Sequence, residues 1–286
     1  MGRDAIGRKK RRRLRKEVGF GCPVEGCRVP FLEFHHFDPP FNEGKMHNED
    51  GMIALCPIHH RQADQRAWSI EDLHEMKRAP YREKPKGKLG WSIDEGIVIS
   101  GGNYFFSPSL TMRIKGKELF KLEQDHKGKI FVNALLWNNK KEIIAEVKNN
   151  DMLINHMRVE DIDCMASGKE IHFKAPDNSN HVRIRFEQQS IEKCLAQAEN
   201  TLDESIVEQV FSIIKERVAN GMINVIKFSS TIREDDFIFH AGDSKITFDF
   251  RKIGLDKAEY YGSAHGVNGA LNFRKKDGQE LIYLGK

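Results

Sequence analysis

The chain runs to 286 residues, 39% hydrophobic and 31% charged, enough for two domains with their own cores in an ordinary soluble protein. No apolar run approaches a membrane span, and the basic N-terminus lacks the apolar stretch of a secretory signal, which argues against membrane insertion and secretion. The net charge of +4 hides an asymmetry: residues 1–90 carry 19 Lys and Arg against 13 Asp and Glu, whereas residues 91–286 carry 27 against 29.

Much of the basic excess comes first, in RKKRRRLRK over residues 8–16. As part of an arm over residues 1–17, this run could neutralise several phosphates and release their counterions, giving salt-sensitive binding without sequence readout. Its plainer reading is a solvated, disordered arm.

The next segment holds a Cys/His frame: Cys22-x4-Cys27, a gap of 28 residues, then Cys56-x2-His59. Three thiolates and an imidazole at such spacing match the ligands that a tetrahedral zinc ion prefers, although four ordinary buried residues would also fit. A closed zinc site leaves His35, His36 and His60 for other work. Cys164 and Cys194 are then an unpaired remainder of the five cysteines, which fits a reducing cytoplasm rather than a disulfide scaffold.

The strings EFHHFDPP and CPIHHRQAD, and more narrowly HHFDPPFNEGKMHNEDGMIALCPIHH, resemble the HNH endonucleases, in particular a zinc-stapled bacterial subgroup with the same Pro-Pro and Gly-Met-Ile-Ala-Leu-Cys text. The resemblance covers residues 18–79 and stops there. It implies a small ββα-metal fold and hydrolysis of DNA to 5′-phosphate and 3′-hydroxyl ends. It also implies His36 as general base, and His35 and His60 as the protein ligands of one Mg²⁺ or Mn²⁺ ion. The residue types suit these tasks. Histidine titrates near the working pH, and a divalent cation stabilises charge building on the phosphate and on the leaving oxygen. Gly51 stands where the family carries its central asparagine, so Asn48, three residues earlier, is the candidate to orient His36. His47 beside it reads as a further ligand, a phosphate contact or a solvated loop residue. Next to such a module Arg11, Arg12, Arg13, Lys45 and Arg61 become the expected phosphate contacts. RNA in place of DNA is compatible with the same residues.

Backbone geometry sets conditions on this assignment. Adjacent side chains on a strand point to opposite faces, so His35 and His36 serve one site only if the strand ends there, which Asp38-Pro39-Pro40 would allow. A helix starting near Pro57 separates His59 and His60 by about 100° around its axis, letting one face zinc and the other a second ion.

Residues 69–78 read as a helix capped by Ser69, and the Pro-, Gly- and Lys-rich residues 80–90 as a linker. Beyond it, GIVIS, LTMRIKG, KIFVNALLW, EIIAEVK, EIHFKA and HVRIRFE read as strands. Helical periodicity follows over residues 190–220, with Ile206, Val207, Val210, Ile213 and Ile214 on one face. Strands return in INVIKF, FIFHAG, KITFDFRK and ELIYLGK.

The expected fold is therefore α+β: a small ββα-metal HNH domain followed, over residues 91–286, by a β-rich, sandwich-like domain with one or two helices. The expected function is metal-dependent DNA cleavage. Defence against phage is suggested only by the company that HNH modules with an appended domain keep. The alternative is a zinc-stabilised module that binds DNA or protein without cutting. One catalytic centre cuts one strand, so a homodimer would allow both strands to be cut, and the C-terminal region is the place for an activating partner.

Overall fold

Two hydrophobic patterns divide the chain, and in the computed structural model each builds its own core. The structure describes residues 6–44, 47–91, 96–105, 109–176, 180–199, 221–235, 237–242 and 245–249, positions 204, 207, 208, 212, 215 and 216, and the backbone of 257–260, 263–264, 271–274 and 280–285.

The N-terminal region comprises α1 (Arg8–Glu17), β1 (Glu33–His36), α2 (Phe41–Gly44), β2 (Met52–Leu55), α3 (Pro57–Asp64) and α4 (Ile70–Arg78). β1 and β2 pair antiparallel, with Glu33 opposite Leu55 and His36 opposite Met52. Pro57 opens α3, where its missing N–H costs no helical bond. A capping box opens α4: the Asp72 amide donates to Ser69 Oγ at 3.1 Å, and the Ser69 amide donates to the Asp72 carboxylate at 2.8 Å. Leu14, Val18, Leu32, Phe37, Met52 and Leu73 converge on a core beneath these elements.

The remainder is β-rich. One sheet is built from β3 (Lys86–Lys88), β6 (Leu110–Ile114), β7 (Lys117–Gln124), β8 (Ile130–Trp137), β9 (Ile143–Lys148), β10 (Asp151–Ile154), β19 (Leu271–Arg274) and β20 (Glu280–Gly285), in the order β19-β20-β6-β7-β8-β9-β10-β3. The second runs β11 (Asp161–Cys164), β12 (Glu170–Lys174), β13 (His181–Ser190), β14 (Met222–Arg233), β15 (Ile238–Ala241), β16 (Ile246–Asp249) and β17 (Lys257–Tyr260). β4 (Ile97–Ser100) joins it parallel to β14, and β5 (Asn103–Phe105) and β18 (Ser263–Ala264) follow. The sheets pack face to face through one continuous apolar core, with Phe120 of β7 against Phe228 of β14 at 4.5 Å between ring centroids. Alternation along the strands sends Ile171, Phe173, Val182, Ile184, Ile226 and Phe228 inward. It turns Glu170, Arg183, Arg185 and Lys227 to the outer face, part of which α5 (Ile191–Glu199) covers. The fold is α+β and dominated by strands.

Two expectations are corrected. The basic N-terminal run is α1, not a free arm: Leu14 and Arg15 are buried, and Arg12 pairs with Glu160. Arg15 meets the Asp161 carboxylate through two bonds of 2.9 and 3.0 Å from one terminal nitrogen, and Asp163 at 3.0 Å. Residues 80–90 are not a loose linker. They contain β3, an edge strand whose lysines suit an unpaired edge, and the Leu89 amide donates to Asn150 O at 2.8 Å. Phe20 and Phe31 from the first region also enter the sandwich core. The helix expected over 190–220 is met by α5 and, beyond it, by helical backbone at the described positions 204, 207, 208, 212, 215 and 216. Val207 is partly buried, whereas residues 206, 210, 213 and 214 lie outside the described residues.

Candidate metal centres

Cys22 and Cys27 flank a tight loop in which the Cys27 amide donates to Val24 O at 3.1 Å and the Cys22 amide to Val29 O at 3.0 Å. Arg28 fastens this loop. Fully buried, its guanidinium donates to the carbonyls of Val18 (3.0 Å), Gly19 (2.8 Å), Gly21 (2.9 Å) and Glu83 (2.7 Å). The planar fork of five N–H donors is what allows one side chain to hold several carbonyls at once.

Opposite the loop, β2 ends at Leu55 and α3 brings Cys56 and His59 into reach. The four ligand atoms lie within 4.8 Å of one another. Cys27 Sγ is 3.8 Å from Cys56 Sγ, and His59 Nδ1 is 3.1 Å from Cys22 Sγ and 3.3 Å from Cys56 Sγ. A tetrahedral zinc with Zn–S bonds of about 2.3 Å sets its sulfurs about 3.8 Å apart, so the cage has the right size for such an ion. The thiols are strongly perturbed. Hydrogen bonds from Cys22 and then Cys27 pull Cys56 well below the ordinary thiol range, while those to Cys27 and Cys56 push Cys22 up. This is the behaviour of sulfurs crowded around one negative charge, which a divalent cation would relieve. Cys22, Cys27, Cys56 and His59 can thus hold a metal ion such as zinc.

A second group forms one residue further along α3. His35, His60 and Asp64 lie within 4.8 Å of one another. Asp64 oxygens stand 3.1 Å from His35 Nδ1 and 3.4 Å from His60 Nδ1, and a Glu33 oxygen stands 3.5 Å from His60 Nδ1. His35 is buried, and burial, then the neighbouring His60, lowers its pKa, which favours the neutral imidazole that metals bind. Asp64 was not singled out in the sequence. The signal available was its place four residues after His60, one helical turn on.

His36 ends β1 among other partners. Its Nε2 is 2.9 Å from His47 Nδ1, and its ring lies 5.1 Å from that of Phe41. The exposed Asn48 side chain accepts the Asp50 amide at 3.3 Å in a local turn, so the imidazole beside His36 is that of His47. The absence of asparagine at Gly51 has a steric reason. Gly51 O accepts the amides of Phe37 (2.9 Å) and Asp38 (3.2 Å), and a Cβ on Gly51 would run into the Asp38 carbonyl.

Of the expected phosphate contacts, Arg12 and Arg13 are engaged by Glu160 and Glu49. Arg61 is exposed on α3, Arg11 Nε is buried without a hydrogen-bond partner among the described residues, and Lys45 lies outside the described residues. Among the described residues no helix is long and apolar enough to cross a membrane. Comparison with protein families, with curated proteins and with solved structures returns no match to this chain.

Proposed function

We propose that the N-terminal region is a metal-dependent endonuclease of the HNH kind. In this reading it hydrolyses DNA, with a structural zinc in the Cys22, Cys27, Cys56 and His59 cage and a Mg²⁺ or Mn²⁺ ion held by His35, His60 and Asp64. The observation that carries the reading is that one helix serves both clusters: α3 delivers His59 to the cysteines and His60 and Asp64 to the second group. A carboxylate beside two imidazoles makes a better home for a hard divalent ion than imidazoles alone. Bound there, the ion would stabilise the charge that builds on the phosphate and the leaving 3′ oxygen.

The chain's own residues do the rest. A proton on His36 Nε2, donated toward His47 Nδ1 2.9 Å away, fixes the tautomer in which Nδ1 accepts the proton of the attacking water. The loop carrying His47 is itself held: Lys10 donates to His47 O at 2.6 Å, Arg13 Nε donates to Glu49 at 2.6 Å, and Lys77 donates to Glu49 O at 2.8 Å. Helix α1 therefore steadies the base's partner through Lys10 and Arg13, the latter one of the expected phosphate contacts, and Arg61, exposed next to His60, is the better candidate for a backbone contact.

Incubation of supercoiled plasmid with the full chain in Mg²⁺ or Mn²⁺ tests this, with EDTA as a control and zinc content measured on the same preparation. The expected outcome is metal-dependent nicking that falls at least about 100-fold in His36→Ala. Asp64→Ala should lose cleavage and bind Mn²⁺ more weakly by electron paramagnetic resonance, while keeping its zinc. Zinc bound but neither DNA nor RNA cut would favour a metal-stabilised binding module.

A further inference from the structure

A cavity of about 460 Å³ opens beside α5 on the outer face of the second sheet, and Arg183, Arg185, Lys227, Ser229, Tyr104 and Gly102 are among the residues lining it. Arg183 and Arg185 stand two apart on β13, and Lys227 of β14 is directly opposite Arg185, so the register points all three cations the same way. Glu170, opposite Arg185 on β12, accepts from Nε of both arginines, at 2.8 and 2.5 Å. Lys227 pairs with Glu187.

Two carboxylates thus face three cations, and the bonding geometry leaves donors over. Glu170 is bonded by Nε and one terminal nitrogen of Arg183 but by Nε alone of Arg185. Among the described residues, the other terminal nitrogen of Arg183 and both of Arg185 make no hydrogen bond to protein. A carboxylate that pins two guanidiniums by their inner nitrogens fixes their planes and presents the outer N–H groups as a fork. That is the arrangement that recognises phosphate oxygens in bidentate fashion. The fold has no need of it, since the sandwich core lies on the other face of these strands. The volume lies within the range of small-molecule sites, roughly 300–1,000 Å³. At about 30 Å³ per water it equals some fifteen waters, so inorganic phosphate alone would leave most of it empty.

We propose that this cavity binds a small organic molecule bearing phosphate, of the nucleotide class, with its phosphate on Arg183, Arg185 and Lys227 and its remainder toward Ile99 and Tyr104. The proposal is independent of the nuclease reading, because none of these residues belongs to either metal cluster.

Calorimetric titration of the full chain with the four common ribonucleoside monophosphates, their triphosphates, inorganic pyrophosphate and a short single-stranded oligonucleotide tests it. Saturable binding of at least one nucleotide is expected, more than tenfold tighter than pyrophosphate and more than tenfold weaker in Arg185→Gln and in Lys227→Met. Arg185→Gln keeps an amide able to donate to Glu170. If it does not fold, Lys227→Met decides, because Glu187, the partner it leaves, is not deeply buried, at 26% side-chain exposure. The proposal is overturned if no nucleotide binds, if the variants bind like wild type, or if pyrophosphate binds as tightly as any nucleotide. It is also overturned if the oligonucleotide binds more tightly than the nucleotides with the same sensitivity, which would make the cavity a nucleic-acid backbone site.

Discussion

Among the described residues the N-terminal region gathers twelve buried side chains in its own core, and two of them, Cys22 and Cys56, are members of the metal cage. The sandwich core gathers thirty-eight, none of them in a metal-ligand group, and borrows Phe20 and Phe31 from the first region. A core that small does not hold a fold unaided. The first region instead depends on polar devices that need particular partners, the cage, the Arg28 pin and the Arg15 ion pairs, whereas the sandwich rests on apolar area. Each half is therefore fragile in its own way: the first at single atoms, the second only when many contacts go together.

The largest effect is expected from stripping any ion from the cage. Chelation or Cys56→Ser should unfold the first region while the sandwich persists, since a structural zinc contributes on the order of 10 kcal/mol. Hydrogen exchange would show protection lost in β2 and α3 but kept in β7 and β8. Equal loss in both halves would mean that they form one cooperative unit. Arg28→Met comes next, at about 4 kcal/mol, because four carbonyls lose their donor and each buried one costs about 1–3 kcal/mol. Zinc affinity should fall with it.

Asp161→Ala tests the seam between the halves. It removes the main partner of Arg15, whose side chain is 5% exposed, and should cost about 3 kcal/mol in urea unfolding. Arg15→Met combined with Asp161→Leu should recover most of that, because the loss reflects a stranded charge rather than the worth of the pair. No recovery would mean that the ion pair itself, and not a stranded charge, accounts for the loss.

These three devices also mark how far the sequence could be read. The cage was legible because metal chemistry restricts both residue type and spacing, and α3 follows from Pro57 and the helical repeat. The strands with strong alternation, such as Ile130–Trp137, were legible for the same reason of period, whereas Lys117–Gln124 and Asp161–Cys164 mix charges into their pattern and were not seen. Arg15 and Arg28 looked like ordinary basic residues. Their roles exist only through partners that the fold brings up, in one case 146 residues away, and no local pattern announces them. His47 and Asp64 were hidden differently: both sit among ligand-like residues, and only the geometry sorts which contacts which.

The mildest test reaches the sandwich through pH. His172 and His181 lie with ring centroids 5.5 Å apart on the outer face of the second sheet, near Asp163, Glu170, Lys174, Arg183 and His240. Burial, then Lys174, holds His172 down at about 3, and burial, then His240, holds His181 down at about 4. Both are therefore neutral in the folded chain at pH values where the unfolded chain, titrating near 6.5, takes up protons. The stability they permit is complete above about pH 6.5 and is lost as pH falls toward 4, at up to roughly 1.4 kcal/mol per pH unit for each histidine. Trp68→Phe would leave only Trp91 and Trp137, both buried in the sandwich core, as fluorescent reporters. With chelator present at every pH, metal release contributes equally throughout, and the urea midpoint between pH 7 and pH 5 reads the sandwich alone. His172→Gln or His181→Gln should flatten that slope. A slope unchanged by either would place the proton uptake outside this pair, and with it the acid sensitivity of the half that apolar burial otherwise makes robust.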